Sequence, residues 1–587
     1  MRTSRFLCLA ALSALTALVS CNKEPDTPEP LIKTFGFYAA DNSGRLEADC
    51  QGTVSGNEIT VGVPPTTDLT ELVARYTTND GNIVTADGLL LVSGETVWNY
   101  SSPVSLTVQD EELKGTALYT VKVSLNPDSD PKLTSFKFEF THNLEAIESD
   151  VEGTISGDAI SVPMVKAADK TALVATFTTS PTNVVKVGDV EQVSGETAND
   201  FTNPVDYIVT NSDGSKSAIF SVSIQNVNGK LEPVVTYSAA PVAKAVLRVD
   251  PFNKTPYLAY KEKSVTGTES ASADKISVVN LLDGTWNIIG GAGFTNAVAS
   301  THFDFDIDND GNLYVAYGDD TASPKSANVM AFFGKSWSLV GSSAVNDIVS
   351  QDISLAAVSS NKLAILQKCN SNTSPYKRNY LVASTYNGTW SNGTVLDITT
   401  MAGTVACKGG NDIYGFVLRR SPYHHDVVKY ENGAWTSLRS DYVRENAGMT
   451  GTFVFDITAA EDGTVCLLTA DDAETTGQYR FTVETYSPET KAWSILGGAS
   501  YPFVHGDRSD EAKVAIAPDG TVYLLYYDYQ NTTLRLSWFD SDTKQWAEPV
   551  VVATEKLSEI NLAFATSGVG YIAFTDENNA EKVFIYR

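Results

Sequence analysis

Short runs of alternating apolar and polar residues follow one another along most of this chain. Two examples are Ile160-Ser161-Val162 and Ile219-Phe220-Ser221-Val222-Ser223-Ile224. Apolar side chains at every second position line one face of a β-strand, so each run predicts a half-buried strand. Glycine, proline, asparagine and aspartate separate the runs, as is typical of turns. The pattern predicts an all-β chain built of many short strands.

A repeat with a constant offset of 101 residues organises the first part of the chain. Gly52-Thr53-Val54-Ser55-Gly56 matches Gly153-Thr154-Ile155-Ser156-Gly157, and Val92-Ser93-Gly94-Glu95-Thr96 matches Val193-Ser194-Gly195-Glu196-Thr197. A fixed offset without net insertion indicates duplication of one domain. The alternation gives about seven strands in each copy, which favours two immunoglobulin-like β-sandwiches at residues 31–126 and 132–226.

This tandem pair resembles the uncharacterised immunoglobulin-like domains found near the N-terminus of Bacteroidota lipoproteins. The resemblance rests on the repeated segments just quoted. It implies a spacer or adhesion-type module, and it brings no catalytic residues to this chain.

Tryptophan recurs through the rest of the chain, at positions 286, 337, 390, 435, 493 and 546, with intervals of 51, 53, 45, 58 and 53 residues. A second marker, a turn followed by an apolar strand such as Asp310-Gly311-Asn312-Leu313-Tyr314, occurs seven times. A period of about 50 residues is typical of four-stranded β-propeller blades. Residues 231–587 are therefore predicted to form a propeller of seven blades, with six or eight as alternatives. Pro233 to Ser238 would complete the last blade and remove its exposed edge.

The first residues have the features of an export signal. Arg2 and Arg5 precede an apolar run, Phe6 to Ser20, which is too short to span a bilayer of about 30 Å. The segment Leu18-Val19-Ser20-Cys21 resembles the lipobox of bacterial lipoproteins, in which the cysteine is lipidated and becomes the new N-terminus. The chain is thus similar to Bacteroidota-type outer-membrane lipoproteins. The resemblance implies a palmitate-type anchor on Cys21, a Pro-rich tether at residues 22–30 and a location on the outer membrane facing the cell exterior.

Charge narrows the choice of partners. The chain has 71 Asp and Glu against 42 Lys and Arg, a net charge of −29. Such a surface repels phosphate backbones and anionic lipid heads, which excludes nucleic-acid binding and leaves lipid anchoring as the expected membrane contact. The remaining cysteines, Cys50, Cys369, Cys407 and Cys466, have spacings of neither a zinc site nor a disulfide framework, so they are predicted to be buried thiols.

Long connections between the predicted propeller strands fall on one face, because consecutive strands alternate in direction. Aromatic faces pack on the C–H surface of a sugar while charged groups bond its hydroxyls, and these connections combine both residue types. The alternative is that the aromatic residues pack between blades. The predicted ligand-binding residues are Tyr376, Arg378, Arg420, Tyr423, His424, Tyr442, Tyr501, Phe503, His505 and Arg508.

An acidic run in the propeller segment suggests a cation site. Asp306-Ile307-Asp308-Asn309-Asp310-Gly311 follows Asp304 and copies the first half of a calcium loop. Tyr317 stands where that loop requires a bidentate glutamate. A Ca²⁺ site at Asp304, Asp306, Asp308 and Asp310 and an ordinary strand followed by a turn are therefore both open, and no other cofactor is expected.

Three functions are compatible with these features. The first is capture of a glycan or glycoprotein on the long-loop face, for nutrient uptake at the cell surface. The second is a protein-interaction or adhesion scaffold without carbohydrate binding. The third is a propeller glycoside hydrolase, for which the chain offers no sialidase Asp-box, nucleophile elbow or metalloprotease histidine pair. No catalytic residue is predicted, and a binding protein is favoured over an enzyme.

Overall fold

The computed structural model describes residues 31–587 apart from short internal segments. Residues 1–30, which include the predicted signal, Cys21 and the tether, lie outside the described part. No helix among the described residues is long and apolar enough to cross a membrane. The other segments that are not described are 111–114, 127–130, 181–182, 212–213, 228, 265–269, 342–343, 373, 401–402, 420–423, 444–454, 473–478 and 502–510.

The first repeat unit, here called domain 1, forms a four-stranded sheet (order β2-β1-β5-β8) and a six-stranded sheet (β3-β4-β10-β9-β6-β7) that share one apolar core. Strands β4 and β10 are parallel. A 3₁₀ helix spans Leu69–Glu71. The strands are β1 (Ile32–Phe37), β2 (Cys50–Gln51), β3 (Thr53–Ser55), β4 (Glu58–Val63), β5 (Leu72–Thr78), β6 (Asn82–Ala86), β7 (Leu89–Leu90), β8 (Val97–Trp98), β9 (Val104–Asp110) and β10 (Thr116–Leu125).

The second repeat unit, domain 2, has the same order of strands, β12-β11-β15-β18 and β13-β14-β20-β19-β16-β17. A 3₁₀ helix spans Phe140–His142. Its strands are β11 (Leu133–Phe138), β12 (Val151–Glu152), β13 (Thr154–Ser156), β14 (Ala159–Val165), β15 (Leu173–Thr179), β16 (Val184–Val187), β17 (Val190–Glu191), β18 (Ala198–Asn199), β19 (Val205–Thr210) and β20 (Ser217–Val227).

Equivalent contacts recur at the 101-residue offset. In domain 1 the buried Asn42 side chain accepts a hydrogen bond from the Val73 N–H (2.8 Å) and donates one to the Val73 carbonyl (2.9 Å). Asn143 makes the same pair of bonds with Val174 in domain 2, at 2.8 and 2.9 Å. Each asparagine thus satisfies a backbone unit that would otherwise be buried without partners. The shared contact and shared strand order agree with the duplication predicted from sequence.

The remaining described residues form seven antiparallel sheets. The strands are β21 (Leu231–Pro233), β22 (Val242–Val249), β23 (Pro256–Glu262), β24 (Ile276–Leu282), β25 (Thr285–Ile288), β26 (Val298–Ile307), β27 (Leu313–Asp319), β28 (Ala327–Phe333), β29 (Ser336–Leu339), β30 (Ser350–Ser359), β31 (Lys362–Cys369), β32 (Tyr380–Tyr386), β33 (Thr394–Thr399), β34 (Gly403–Gly409), β35 (Asp412–Leu418), β36 (His425–Glu431), β37 (Ala434–Tyr442), β38 (Phe455–Ala459), β39 (Val465–Asp472), β40 (Tyr479–Ser487), β41 (Ala492–Ile495), β42 (Ala512–Ile516), β43 (Val522–Asp528), β44 (Thr533–Asp540), β45 (Gln545–Trp546), β46 (Val550–Ala553), β47 (Leu557–Phe564), β48 (Gly570–Asp576) and β49 (Glu581–Tyr586), with a 3₁₀ helix at Leu496–Gly498.

Six of these sheets take consecutive strands, and the seventh takes one strand from far upstream. Sheets 1 to 5 are β22–β25, β26–β29, β30–β33, β34–β37 and β38–β41; sheet 6 is β42–β45 with β46 beside β44; sheet 7 is β47–β49 with β21. Strand β21 pairs with β49 from Leu231 opposite Tyr586, and a bridge joins Tyr237 to Glu581. The predicted closing segment is therefore present and begins at Leu231 rather than at Pro233.

The repeated tryptophans link neighbouring sheets. Four of the six donate their indole N–H to a backbone carbonyl of the preceding sheet's outer edge, whereas the buried Trp435 Nε1 has no hydrogen-bond partner among the described residues. The four bonds are Trp286 to Val235 (2.6 Å), Trp337 to Ile289 (2.9 Å), Trp390 to Val340 (2.7 Å) and Trp493 to Leu438 (3.5 Å). Val235 follows β21, so the upstream segment serves sheet 7 as an outer edge and accepts the bond from sheet 1. The six periodic tryptophans fall one in each of sheets 1 to 6, and sheet 7 has none, which accounts for the sequence period.

The first strands of the seven sheets, here called inner strands, contact one another in chain order, and β47 of sheet 7 also contacts β22 of sheet 1. Side chains reinforce this cycle: Asn561 Oδ1 accepts a bond from the Leu247 N–H (3.1 Å) and Asp456 Oδ2 accepts one from the Val514 N–H (3.1 Å). Each such bond pairs an inner strand with its neighbour across the gap between two sheets, where backbone N–H groups lack sheet partners.

The contacts within the chain divide it into two compact units. One contains Met1–Lys132, Thr179–Val185 and Ile208–Ala218; the other contains Leu133–Thr178, Lys186–Tyr207 and Ile219–Arg587, so most of domain 2 belongs with the seven sheets. Within this second unit, Lys254 Nζ donates to the Ile147 carbonyl (2.7 Å), and the Asp519 N–H donates to the Ala167 carbonyl (3.2 Å). Burial in this contact lowers the pKa of Lys254.

The four cysteines in the described residues are free thiols. Cys369 and Cys466 are buried, while Cys50 and Cys407 are half-buried. Burial raises the pKa of Cys466 to about 12, so this thiol is protonated and unreactive at neutral pH. Cys50 lies opposite Phe37, as Val151 lies opposite Phe138, which confirms that it replaces a valine in the repeated slot.

Candidate ligand-binding face

Alternating strand direction sorts the connections of the seven sheets onto two faces. Turns from first to second and from third to fourth strands lie on one face, here called the turn face. The connections from second to third strands, and from each sheet to the next, lie on the other, here called the loop face. The longer connections are on the loop face, for example 370–379 between β31 and β32. Lys254 and Asp519 belong to turn-face turns, so the described contacts with domain 2 leave the loop face free.

Sheet 4 presents a charged network at the loop face. Arg419, which follows β35, donates from Nε and Nη2 to both carboxylate oxygens of Asp426, the second of these bonds being 2.7 Å long. Asp426 is 1% exposed and also accepts a bond from the Asp441 N–H (3.0 Å). The hydrogen bond to Asp426 raises the pKa of Arg419. The two-pronged pair fixes the guanidinium at the edge of the sheet.

His424 and Asp441 lie above this pair. His424 Nδ1 is 2.7 Å from Asp441 Oδ1, and Arg419 Nη1 is 3.6 Å from the same oxygen. The Asp441 side chain is 59% exposed. The hydrogen bond to His424 lowers the pKa of Asp441, so this carboxylate is ionised at neutral pH. The surface therefore offers a carboxylate, an imidazole and a guanidinium, groups that hydrogen-bond hydroxyls.

An arginine clamp lies beneath the network. The Arg439 guanidinium carbon is 4.0 Å from the Tyr442 ring centroid and 4.2 Å from that of Trp493 in sheet 5. Arg439 Nη1 is 3.1 Å from Glu484 Oε1 and 2.9 Å from His425 Nε2. The predicted ligand residue Tyr442 is thus half-buried against Arg439. His425 is fully buried, while its neighbour His424 faces Asp441.

Sequence reasoning missed Asp426, Asp441, Arg439 and Glu484. Arg439 and Glu484 come together only because sheets 4 and 5 are neighbours, and no local motif connects them. The one available signal was Arg419, which the sequence places beside the two histidines.

The two predicted residues of sheet 3 occupy different environments. Tyr376 donates its hydroxyl to the Asn392 carbonyl and packs against a small apolar cluster that includes Cys369. Burial raises the pKa of Tyr376. Arg378 is exposed, and its backbone N–H bonds Asn372 Oδ1 (3.1 Å). Arg378 is therefore available to a ligand, whereas much of Tyr376 is used in packing.

Tyr501 requires a correction. The sequence placed it on a ligand-binding loop, but it is 1% exposed and its ring lies against Tyr526 (5.6 Å between centroids) and Trp546 (5.3 Å). Its N–H donates to the Phe481 carbonyl (2.7 Å), which holds this part of the connection along β40. Tyr501 is a core residue between sheets 5 and 6, as the packing alternative proposed. Arg420, Tyr423, Phe503, His505 and Arg508 lie outside the described residues.

Three of the four aspartates of the predicted calcium site use their carboxylates in other contacts, and the fourth, Asp310, is exposed. Asp304 and Asp306 each accept a bond from a backbone N–H of sheet 3, at 2.9 and 2.8 Å, and both lie 3.6 Å from Arg248. Asp308 accepts bonds from the Asp310 and Asn312 N–H groups and from the Tyr314 hydroxyl (3.1 Å). No group of three or more His, Cys, Asp or Glu in the described part is arranged to hold a metal ion. The geometry supports the strand-and-turn alternative and gives the calcium prediction no support.

Comparison with known proteins gives one family match. The family described as "SGBP, N-terminal" matches residues 45–123 and again residues 134–224, one match in each repeat unit. No curated protein matches the chain. These two matched segments together cover less than half of the chain, so the likeness concerns domains 1 and 2.

Solved structures match at low identity. A DUF4623 family protein from Bacteroides eggerthii is 12% identical over 78% of this chain and 99% of its own (TM-score 0.31). An ulvan lyase bound to a sulfated disaccharide repeat is 12% identical over 60% and 95% (TM-score 0.39). The β-propeller domain of a Pyrococcus furiosus protease is 11% identical over 59% and 95% (TM-score 0.34). The family match fits a surface protein of the Bacteroidota.

Proposed function

We propose that this chain is a lipid-anchored protein of the outer membrane whose loop face binds a glycan or glycoprotein for nutrient capture. The observation that carries the proposal is the match of both repeat units to the family described as "SGBP, N-terminal". The lipobox-like segment ending at Cys21 supports the anchor, and the net charge of −29 supports membrane attachment through lipid rather than through basic residues.

The proposed architecture is two immunoglobulin-like sandwiches followed by a seven-bladed β-propeller. In support of the sandwiches, each repeat unit has two sheets in the same order. In support of the propeller, seven sheets contact through their inner strands in one cycle, and β21 completes sheet 7. A propeller joined in this way gives sheet 7 a fourth strand like the other sheets, and it leaves one face of loops for recognition.

The network on sheet 4 is the proposed ligand contact on this face. Asp441 and His424 are accessible, Arg419 is held by the buried Asp426, and Tyr442 adds an aromatic edge. Fixed polar groups cost little to order when a ligand binds, and a sugar ring offers both hydroxyls and a C–H face to such a set. The predicted Arg378 of sheet 3 would extend the contact.

Affinity electrophoresis tests the proposal. The protein of residues 22–587 is run in native gels that contain xyloglucan, laminarin, amylopectin, galactomannan or acidic polygalacturonate. We expect at least one gel to retard the protein, and expect His424→Ala and Asp441→Asn to weaken that retardation. Asp542→Asn is the matched control, because it removes the same charge from an exposed turn on the turn face. Migration unchanged by every polysaccharide would reject glycan binding and leave a protein ligand as the surviving alternative.

Anchoring is tested separately in cells. Cys21→Ala should prevent incorporation of labelled palmitate and release the protein from the membrane fraction. Membrane retention of the unlabelled variant would show that another part of the chain provides the attachment.

A further inference from the structure

Four inner strands are interrupted by irregularities near the loop face. Their ladder registers shift between Val242 and Lys244 in sheet 1, between Val298 and Phe303 in sheet 2, between Gln351 and Ser354 in sheet 3, and between Ser558 and Asn561 in sheet 7. Asp352 and Glu559 lie in two of these shifts with positive φ angles of 49° and 55°. Bulges are enriched beside binding sites, and a non-glycine residue keeps such a φ only where its surroundings hold it.

Neighbouring side chains hold the irregular segment around Glu559. Glu511 of the preceding connection accepts bonds from the Glu559 and Ile560 N–H groups, both at 3.3 Å. Asn561 Nδ2 donates to the Glu559 carbonyl (2.9 Å), while Asn561 Oδ1 bonds Leu247 of sheet 1. The backbone of Glu559 is therefore fixed by sheets on both sides before any ligand binds, which is the condition for a precise polar contact.

The Glu559 side chain faces two lysines from the adjacent sheets. Lys244 of sheet 1 and Lys513 of sheet 6 both act on its charge, as does Glu511. Lys244 Nζ donates to the Phe303 carbonyl (3.3 Å), and Lys513 Nζ is 3.7 Å from Asp456 Oδ1 with 39% of its side chain exposed. Among the described residues, no hydrogen bond or ion pair holds the Glu559 carboxylate itself.

The side chains of Glu559 and Lys244 are largely surrounded by protein but are still partly exposed to solvent. Burial raises the pKa of Glu559 and lowers that of Lys244, so protein surrounds both groups. Each nevertheless keeps part of its surface exposed. Both residues lie near the first residue of their inner strands, so these half-buried groups are at the loop-face end of the inner-strand cycle. Charged groups in such a place contribute more to binding than groups on an open surface.

We infer that Glu559, Lys244 and Lys513 form a subsite for one neutral sugar ring at the loop-face end of the inner-strand cycle. This inference rests on the proposed function and names a second contact point on the same face. A sugar hydroxyl donates to the Glu559 carboxylate, and the same or the adjacent hydroxyl accepts from a lysine ammonium. Vicinal hydroxyls match this alternation of acceptor and donor groups.

The charges at this place favour a neutral sugar over an acidic one. Asp304, Glu511 and Asp352 lie near Lys244 or Glu559 in addition to the Glu559 carboxylate. Arg248 lies 3.6 Å from Asp304 and Lys368 lies 3.6 Å from Asp352, which leaves Lys244 and Lys513 as the cations beside Glu511 and Glu559. The two lysines are balanced by these two carboxylates, so a uronate or sulfate would bring a negative charge to a place that has no unbalanced cation to receive it.

The test uses the native gels described above, with calorimetry on an oligosaccharide of whichever neutral polysaccharide retards the protein. Glu559→Gln and Lys244→Met should each weaken binding about tenfold or more, because each removes a charge-assisted hydrogen bond. Glu577→Gln is the matched control: it is exposed, lies on a loop-face connection of the same sheet, and should leave the affinity unchanged. Thermal unfolding confirms that each variant is folded, and Lys513→Met replaces Lys244→Met if the latter is not.

The outcomes separate this inference from the proposed function. Retardation by a neutral polysaccharide that both folded variants retain in full would reject the subsite and leave glycan binding intact. Retardation by polygalacturonate alone would reject the neutral-sugar chemistry. A protein retarded by no gel would overturn the subsite and the proposed function together.

Discussion

The clamp around Arg439 provides a quantitative test of how sheets 4 and 5 are joined. Arg439 and Glu484 have side chains 7% and 4% exposed, with 3.1 Å between Nη1 and Oε1. Replacing Arg439 by leucine removes the guanidinium that lies 3.1 Å from the buried Glu484 carboxylate, which costs about 3–5 kcal/mol. Glu484→Leu should cost a similar amount, because it leaves a buried guanidinium between two rings. Removing both charges should cost much less than either single change, about 0–2 kcal/mol.

Urea unfolding followed by tryptophan fluorescence measures these differences. Seven of the eight tryptophans follow residue 231, so the signal reports on the seven sheets. The parent, both single variants and the double variant form a thermodynamic cycle, in which we expect an interaction energy of several kcal/mol. A double variant as unstable as the sum of the two single variants would refute the reasoning, since the charges would then act independently. Arg535→Leu, a partly exposed arginine 3.6 Å from Asp528, is a control expected to lose about 1 kcal/mol or less.

Three further predictions concern stability. Trp286→Phe keeps an aromatic ring but loses the bond to Val235, so it should lower the free energy of unfolding by about 1 kcal/mol in urea titrations; an unchanged midpoint would contradict a role in closing sheet 7. Tyr501→Ala should lower the free energy of unfolding by about 3–5 kcal/mol, because it empties a buried ring position. Tyr501→Phe should leave gel retardation unchanged, and a loss of retardation would show that the Tyr501 hydroxyl contacts the ligand. Burial raises the pKa of Glu581 well above its usual range, so the folded protein retains a proton that the unfolded chain releases above about pH 4.3. The stabilising contribution of protonated Glu581 is therefore complete below that pH and is lost as the pH rises. The melting temperature of Glu581→Gln minus that of the parent should increase between about pH 5.5 and 8.5. A difference that does not change with pH would contradict the raised pKa of Glu581.

The sheets could be predicted from the repeats because each repeat contains the residues that form a turn or a contact of its own sheet. Trp286 and its counterparts bond the preceding sheet, and the turn before Leu313 sets the start of a second strand, so their spacing carries the architecture. The upstream closing segment was predictable because seven turn-and-strand markers occur with six periodic tryptophans, which leaves one sheet without an outer strand of its own. Its first residue was not, since Leu231 has no distinctive pattern and is defined only by pairing with Tyr586.

The candidate site was much less predictable. Tyr501 follows Gly497 and Gly498, which suggests a loop, but the bond to Phe481 turns its ring into the core. Asp304 and Asp306 alternate as metal ligands do, yet each satisfies a backbone N–H of the next inner strand. Glu559 carries no sequence signal, because its position depends on an irregular ladder and on Glu511 of another sheet. Chemistry that is assembled between sheets cannot be read from spacing along the chain.

The contacts with domain 2 and the proposed sugar subsite around Glu559 lie on opposite faces of the seven sheets. Sheets 1 and 6 place Lys254 and Asp519 in turn-face contacts with domain 2, where both bonds end on backbone carbonyls. Ile147 and Ala167 are themselves buried, and Ala167 packs in one apolar cluster with Ala517 and Tyr523, so apolar packing adds to these two backbone bonds. The same two sheets supply Lys244 and Lys513 at their opposite ends. A ligand can therefore reach Glu559 from the loop face without displacing domain 2, and changes to the loop-face groups can alter specificity without disturbing how the two parts are held together.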